Sequence, residues 1–344
     1  MFRHSLLQFL SAALLLICQT ANAQTPDAGV GANFSFRDLG NFWVGGEFVD
    51  NENGTQSVRG QTYVEYYLPA NPLPDAPPIV LVPGGGLLGS IYGTTPDMRP
   101  GWALYLASQG FDVYVTEPYG RGRAGSGPWN SAAWVLWDMG EEPGVPCDGC
   151  AFPEEEGAYK MWMSQFAGPE PPAPQGAGRG GRAGGPGGAA TASATDRLEE
   201  SGGPGGGQQT ATLAELLNHT GKAVVIGHSA GGAASLRLAA AQPELFAALI
   251  TVEPSGCPGL GGEQLAEVPY MNLLGEYGNL ATHANCMALM KQSLDAGGAG
   301  GAARFLPDFG LSGHGHLLMQ ETRNDEIAEL MIDWISAGYP NEIE

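Results

Sequence analysis

The segment VVIGHSAGG, Val224–Gly232, opens on β-branched apolar residues and closes on small ones around a single serine, Ser229. A short Val/Ile run bounded by glycine reads as a buried strand. The AGGAASLRLAAAQ that follows is rich in good helix formers and reads as a helix. Gly227, Ser229 and Gly231 thus have G-x-S-x-G spacing at the point where a strand turns into a helix. Such a turn thrusts the serine outward in a strained conformation, and small flanking residues prevent clashes. The plain alternative is a serine at an ordinary strand–helix turn, so the reading depends on the rest of the chain.

Working outward, apolar strands alternate with helices. Phe42 to Leu68 reads as two antiparallel strands, NFWVGGEFV and QTYVEYYLP, joined by the turn-rich DNENGTQSVRG. PPIVLVPGGG reads as a buried strand entering a glycine loop, PGWALYLASQG as a helix with a glycine stop, and FDVYVTEPYGRGR as the next strand. After the serine motif come the strands AALITVEP, PYMNLLGEYG and ARFLPDFG and the helix HANCMALMKQSLDAGG. A last amphipathic helix carries Ile327, Leu330, Met331, Trp334 and Ile335 at helical spacing. This alternation predicts an α/β fold, a mostly parallel sheet with helices on both faces. It breaks between Ala124 and Gln208. Residues 124–167 are aromatic-rich and read as a cap-like insertion over the sheet edge. Residues 168–208 are about half Gly and Pro, too poor in apolar side chains to repay their ordering, and read as a disordered loop before the helix LAELLNH. One domain interrupted by a loop fits better than two, because neither side makes a complete α/β unit.

The chain has 344 residues, 43% of them hydrophobic, which suffices for a sizeable core. MFRHSLLQFLSAALLLICQTANA has a basic start, an apolar stretch from Leu6 to Cys18 and a small-x-small end at Ala21 and Ala23. That is the grammar of a secretory signal over residues 1–23, with the mature chain beginning near Gln24 in the periplasm or outside the cell. The apolar stretch falls short of the roughly 20 residues that span a bilayer, so no membrane insertion is expected. The formal charge is −21. Such a surface repels phosphate backbones and argues against nucleic acid as a partner. Cys147, Cys150, Cys257 and Cys286 remain after the signal, and an even number in an exported chain favours two disulfides, 147 with 150 and 257 with 286.

A serine attacks an acyl carbon only with a base to take its proton and donors to hold the resulting oxyanion. The donors are expected from the amide of Ala230, at the helix start, and from Gly86 or Leu87 in VPGGGLLG, where glycines let the backbone approach a reacting carbonyl. No Lys-Ser/Thr follows these glycines, which argues against a phosphate loop. The base is sought in GLSGHGHLLMQE, after the last strand, where His314 and His316 return to the carboxyl edge of the sheet. His228, inside the motif, cannot bend back to its neighbour's hydroxyl and is expected to be packed or hydrogen-bonded nearby. Two acids end strands in the Ser-acid-His order, Glu253 in LITVEPSGC and Glu276 in NLLGEYG. The commonest strand position favours Glu276. No metal or organic cofactor is expected.

Taken in order, GGGLLGSIYGTTPDMRPGWALYLASQGFDVYVTEPYGRGRAG, IGHSAGG, TVEPSGCP and GHGHLLMQ resemble a small group of exported bacterial esterases of the α/β-hydrolase superfamily, whose acid follows the sixth strand. The likeness runs from about Phe42 to Trp334 outside the 124–208 insertion. It implies an α/β-hydrolase fold, Ser229 as nucleophile, Glu253 as acid, His316 as base and a Cys257–Cys286 disulfide. The expected activity is serine-dependent cleavage of a small-molecule carboxylic ester through an acyl-enzyme. The rivals are a lactonase, amidase or lyase on the same frame, or an inactive domain used for binding. Pro83 stands where relatives often carry His.

Overall fold

The computed structural model describes residues 34–124, 130–136, 140–146, 157–164 and 206–342. The segment read as a secretory signal, the pair Cys147 and Cys150, and the Gly/Pro-rich stretch as far as residue 205 lie outside the described residues.

Strands β1 (Phe36–Asp50), β2 (Gln56–Pro69), β3 (Ile79–Val82), β4 (Val113–Glu117), β5 (Ala223–His228), β6 (Phe246–Val252), β7 (Tyr270–Leu274) and β8 (Gly301–Phe305) form one sheet in the order β1-β2-β4-β3-β5-β6-β7-β8. β1 and β2 pair antiparallel, as do β2 and β4; all later pairs are parallel. The hairpin is longer than its sequence suggested. Its turn is confined to residues 51–55, and Gln56–Arg59, expected in the turn, pair along β1.

The parallel strands are covered on both faces, so they are apolar without alternation. In β5, Val224 and Ile226 join one core cluster while Ala223 and Val225 join the other, because successive side chains leave opposite faces. The first face is covered by α1 (Trp102–Ser108) and α7 (Asn324–Ser336), which bring Trp102, Leu106, Met331 and Trp334 onto the sheet. The Trp102 indole donates to the Asn324 carbonyl at 2.7 Å, joining the two helices. The second face is covered by α4 (Gly206–Thr220), α5 (Ser229–Ala241) and α6 (Leu280–Asp295), which supply Leu216, Leu236 and Met290. Each such fully buried aliphatic side chain contributes about 1.5–3 kcal/mol. α4 starts at Gly206, so residues 206–208, read as the end of the disordered loop, are helical. This early start has tertiary support, since Thr212 bonds the Thr62 hydroxyl of β2 at 2.7 Å.

Of the 124–167 segment, α2 (Ala132–Leu136) and α3 (Ala158–Ser164) are described. Tyr159 stacks on Phe48 of β1 at 5.6 Å and meets Trp134 edge-on at 5.1 Å. The Gln56 amide donates to the Ser131 hydroxyl, and the Ser131 amide returns to the Gln56 carbonyl. The segment therefore packs on the half of the hairpin that extends past Glu117, the carboxyl end of β4, which pairs with Tyr63.

Candidate active site

The parallel strands all present their carboxyl ends on one edge. β5 and β6 end in register, His228 opposite Val252, so Ser229 and Glu253 are the first residues beyond a shared last rung. Both have left-handed backbones, φ 50° at Ser229 and 47° at Glu253, a conformation that costs a non-glycine residue of order 1–3 kcal/mol. Ser229 is the first residue of α5, close to the positive end of the helix dipole. The sharp turn needs Gly227 and Gly231. A Cβ on Gly227 would lie 2.7 Å from the Gly232 Cα, and one on Gly231 would lie 2.5 Å from the Pro83 carbonyl oxygen. Neither neighbour is a side chain that could swing away.

The Glu253 side chain is 3% exposed. One oxygen accepts the Gly275 amide at 2.6 Å; the other lies 3.5 Å from Nδ1 of His316. Burial pushes the Glu253 carboxyl up, while the Gly275 amide and His316 pull it down. His316 is 54% exposed, so its side chain is partly open to solvent. The Ser255 amide donates to the Ser229 carbonyl at 3.1 Å, tying the loop after Glu253 to the serine turn. Cys257, in the same loop, forms a disulfide with Cys286 of α6, with 5.2 Å between their Cα atoms.

Glu276 does not approach the His316 ring. Its carboxylate accepts the Gly313 amide at 2.7 Å, at the start of the histidine loop. His314 is buried and turned the other way, with Nδ1 at 3.0 Å from Glu321. Glu321 also accepts the amides of Gly315 and Leu317, the two neighbours of His316. The structure thus brings the Glu253 carboxylate to the His316 ring on the sheet edge that carries Ser229, while Glu276 and His314 bond to Gly313 and Glu321.

In the glycine loop, the Leu87 amide closes a turn onto the Gly84 carbonyl at 3.2 Å. Gly86 has φ 74°. A Cβ on Gly85 would be 3.5 Å from the Ala230 Cβ, which sets the Gly85 backbone alongside the head of α5. The Gly84 carbonyl also accepts Arg121 at 3.0 Å. Near Arg121, Arg123 pairs with buried Glu117 at 2.7 Å and with the Tyr63 hydroxyl at 2.8 Å, fixing the loop after β4. Gly85, Arg121, Glu117 and Glu321 escaped the reading of the sequence. The signals for the arginines and Glu117 were present in EPYGRGR, which placed charges directly at a strand end.

No family model matches the chain. It is 27% identical to a fungal protein named probable secreted lipase phiG, over 94% of this chain and 96% of the relative. Among solved structures it is similar to one described as a novel bacterial esterase, at 24% identity and a TM-score of 0.62, over 89% of this chain and 98% of the other. The fold is that of the α/β-hydrolases. Ser229, Glu253 and His316 lie in the segments after β5, β6 and β8, three loops of one sheet edge.

Proposed function

We propose that this chain is a serine hydrolase that cleaves small-molecule carboxylic esters through an acyl-enzyme on Ser229. The observation that carries the reading is the buried Glu253 carboxylate directed at His316 Nδ1, on the strand next to that of a serine held at positive φ on a helix head. The names of the two relatives, a secreted lipase and an esterase, support the substrate class.

In this reading His316 takes the Ser229 proton through Nε2 as Oγ bonds to the acyl carbon. The carbonyl electrons move to oxygen, and that oxyanion accepts hydrogen bonds from Ala230 and from an amide of the glycine loop. Gly85 and Gly86 are the donors favoured there, since the Leu87 amide is spent on Gly84. Glu253 stabilises the imidazolium and fixes its tautomer. The imidazolium then protonates the departing alcohol oxygen as the ester C–O bond breaks. Water, deprotonated by His316, attacks the acyl-serine and releases the acid with Ser229 restored. Export to the periplasm or medium accords with the amino-terminal sequence and with the disulfide beside the acid loop.

The test is hydrolysis of p-nitrophenyl acetate and butyrate by the parent chain and by Ser229→Ala. The parent should turn both over, and the variant should lose roughly 10⁴-fold or more in kcat with little change in melting temperature. An inactive parent, or an active Ser229→Ala, would overturn the reading.

A further inference from the structure

His228 has no part in the reaction as derived above, yet it is fully buried at the centre of the site. Its Nε2 lies 2.8 Å from the main-chain oxygen of His316. A carbonyl only accepts, so Nε2 carries the proton and donates. The other nitrogen, Nδ1, is buried with no hydrogen-bond partner among the described residues. It faces Gly84, where a Cβ would lie 2.7 Å from it. The two imidazole rings are 4.7 Å apart between centroids. Filling this space would need only an apolar side chain, whereas burying an imidazole with an unpaired nitrogen carries a desolvation cost. What the imidazole adds is one directed donor onto the backbone of the proposed base.

Resting on the function proposed above, we infer that His228 is a positioning residue that ties the His316 backbone to the serine turn. The tie joins segments 88 positions apart in sequence through one contact of 2.8 Å. His228 is the last residue of β5 and precedes Ser229, so the donor moves with the nucleophile's own peptide. Glu253 orients the His316 ring through Nδ1, and His228 holds the main chain from which that ring hangs. Glu321 and Glu276 brace the same loop further out, through the amides of Gly315, Leu317 and Gly313. The tie must come from an uncharged group, because His316 becomes a cation during each cycle and a second cation at ring contact would oppose it. Burial provides for this, holding the His228 imidazole down to about 4. Gly84 completes the fit by leaving room for the ring, which gives the first glycine of the loop a task distinct from oxyanion binding.

His228→Phe keeps a ring and removes the donor, while His228→Gln can keep an N–H donor. Steady-state kinetics on p-nitrophenyl butyrate, with melting temperatures, should show His228→Phe losing about 10- to 100-fold in kcat at nearly constant KM, because a small displacement of a catalytic group weakens transition-state interactions selectively. His228→Gln should recover most of the lost turnover, even if both variants melt at a similar, lower temperature. Equal activity of parent and His228→Phe overturns the inference, as do two variants that lose activity in proportion to stability irrespective of the donor. If the parent itself has no Ser229-dependent activity, the proposed function fails before His228 is in question.

Discussion

Glu253 and Glu276 follow adjacent parallel strands of one sheet, and both serve the histidine loop, yet their surroundings differ. Glu253 is buried, has a left-handed backbone and reaches the His316 ring. Glu276 is exposed and accepts the Gly313 amide. The segment after β6 is also fastened three times, by the Ser255 amide to Ser229, by the Gly275 amide to the carboxylate and by the Cys257–Cys286 disulfide. A strained, desolvated carboxylate persists only where its surroundings over-determine it. The comparison separates a carboxylate suited to stabilising an imidazolium from one that holds a loop in place.

The largest effect that could break this comparison is the exchange of each acid for its amide. Glu253→Gln should lose on the order of 10²- to 10⁴-fold in kcat, because the amide keeps the shape but lacks the charge and can present the wrong group to His316. Glu276→Gln should stay within about threefold of the parent, since its side-chain oxygen can still accept the Gly313 amide. Parallel assays on one activated ester settle the matter, and a dead Glu276→Gln beside an active Glu253→Gln would reverse the two roles.

A smaller effect sharpens the comparison through stability. Burial raises the Glu253 carboxyl above its ordinary 4.5, so the folded state binds this proton more readily than the unfolded chain does. The group's contribution is most favourable below that ordinary value and is lost as pH rises through the folded value. Glu253→Gln removes the penalty of the ionised form. It should therefore melt above the parent at pH 7, with the gap closing towards pH 4. Thermal melts across that range check this, and a gap that is absent or independent of pH would count against a strained, desolvated Glu253.

Much of the fold was legible because strands buried on both faces are near-continuous apolar runs, and those of Ile79–Val82, Ala223–His228 and Phe246–Val252 stand out from their glycine-rich flanks. The serine turn was legible for a similar reason, since small residues at fixed spacing record a backbone approach that admits no side chain. The start of α4 was not, because Gly206–Thr210 has no apolar stripe and its helix leans on the hairpin. Nor could residues alone choose between Glu253 and Glu276. Both are acids after apolar strands, and the difference lies in a positive φ and a buried pocket, which depend on how loops distant in sequence converge. The family resemblance pointed to Glu253, and the geometry places that residue beside His316. His314 and His316, two residues apart, likewise diverge because Glu321 engages one of them.

The central claim, an activated serine at the end of β5, is tested most directly by treating the parent chain with a fluorophosphonate and locating the adduct by intact mass and peptide mapping. The account predicts one phosphonyl group per chain, on Ser229, and much slower labelling in Glu253→Gln and His316→Ala. Ester hydrolysis that persists with Ser229 unlabelled, or an adduct on another residue, would contradict it.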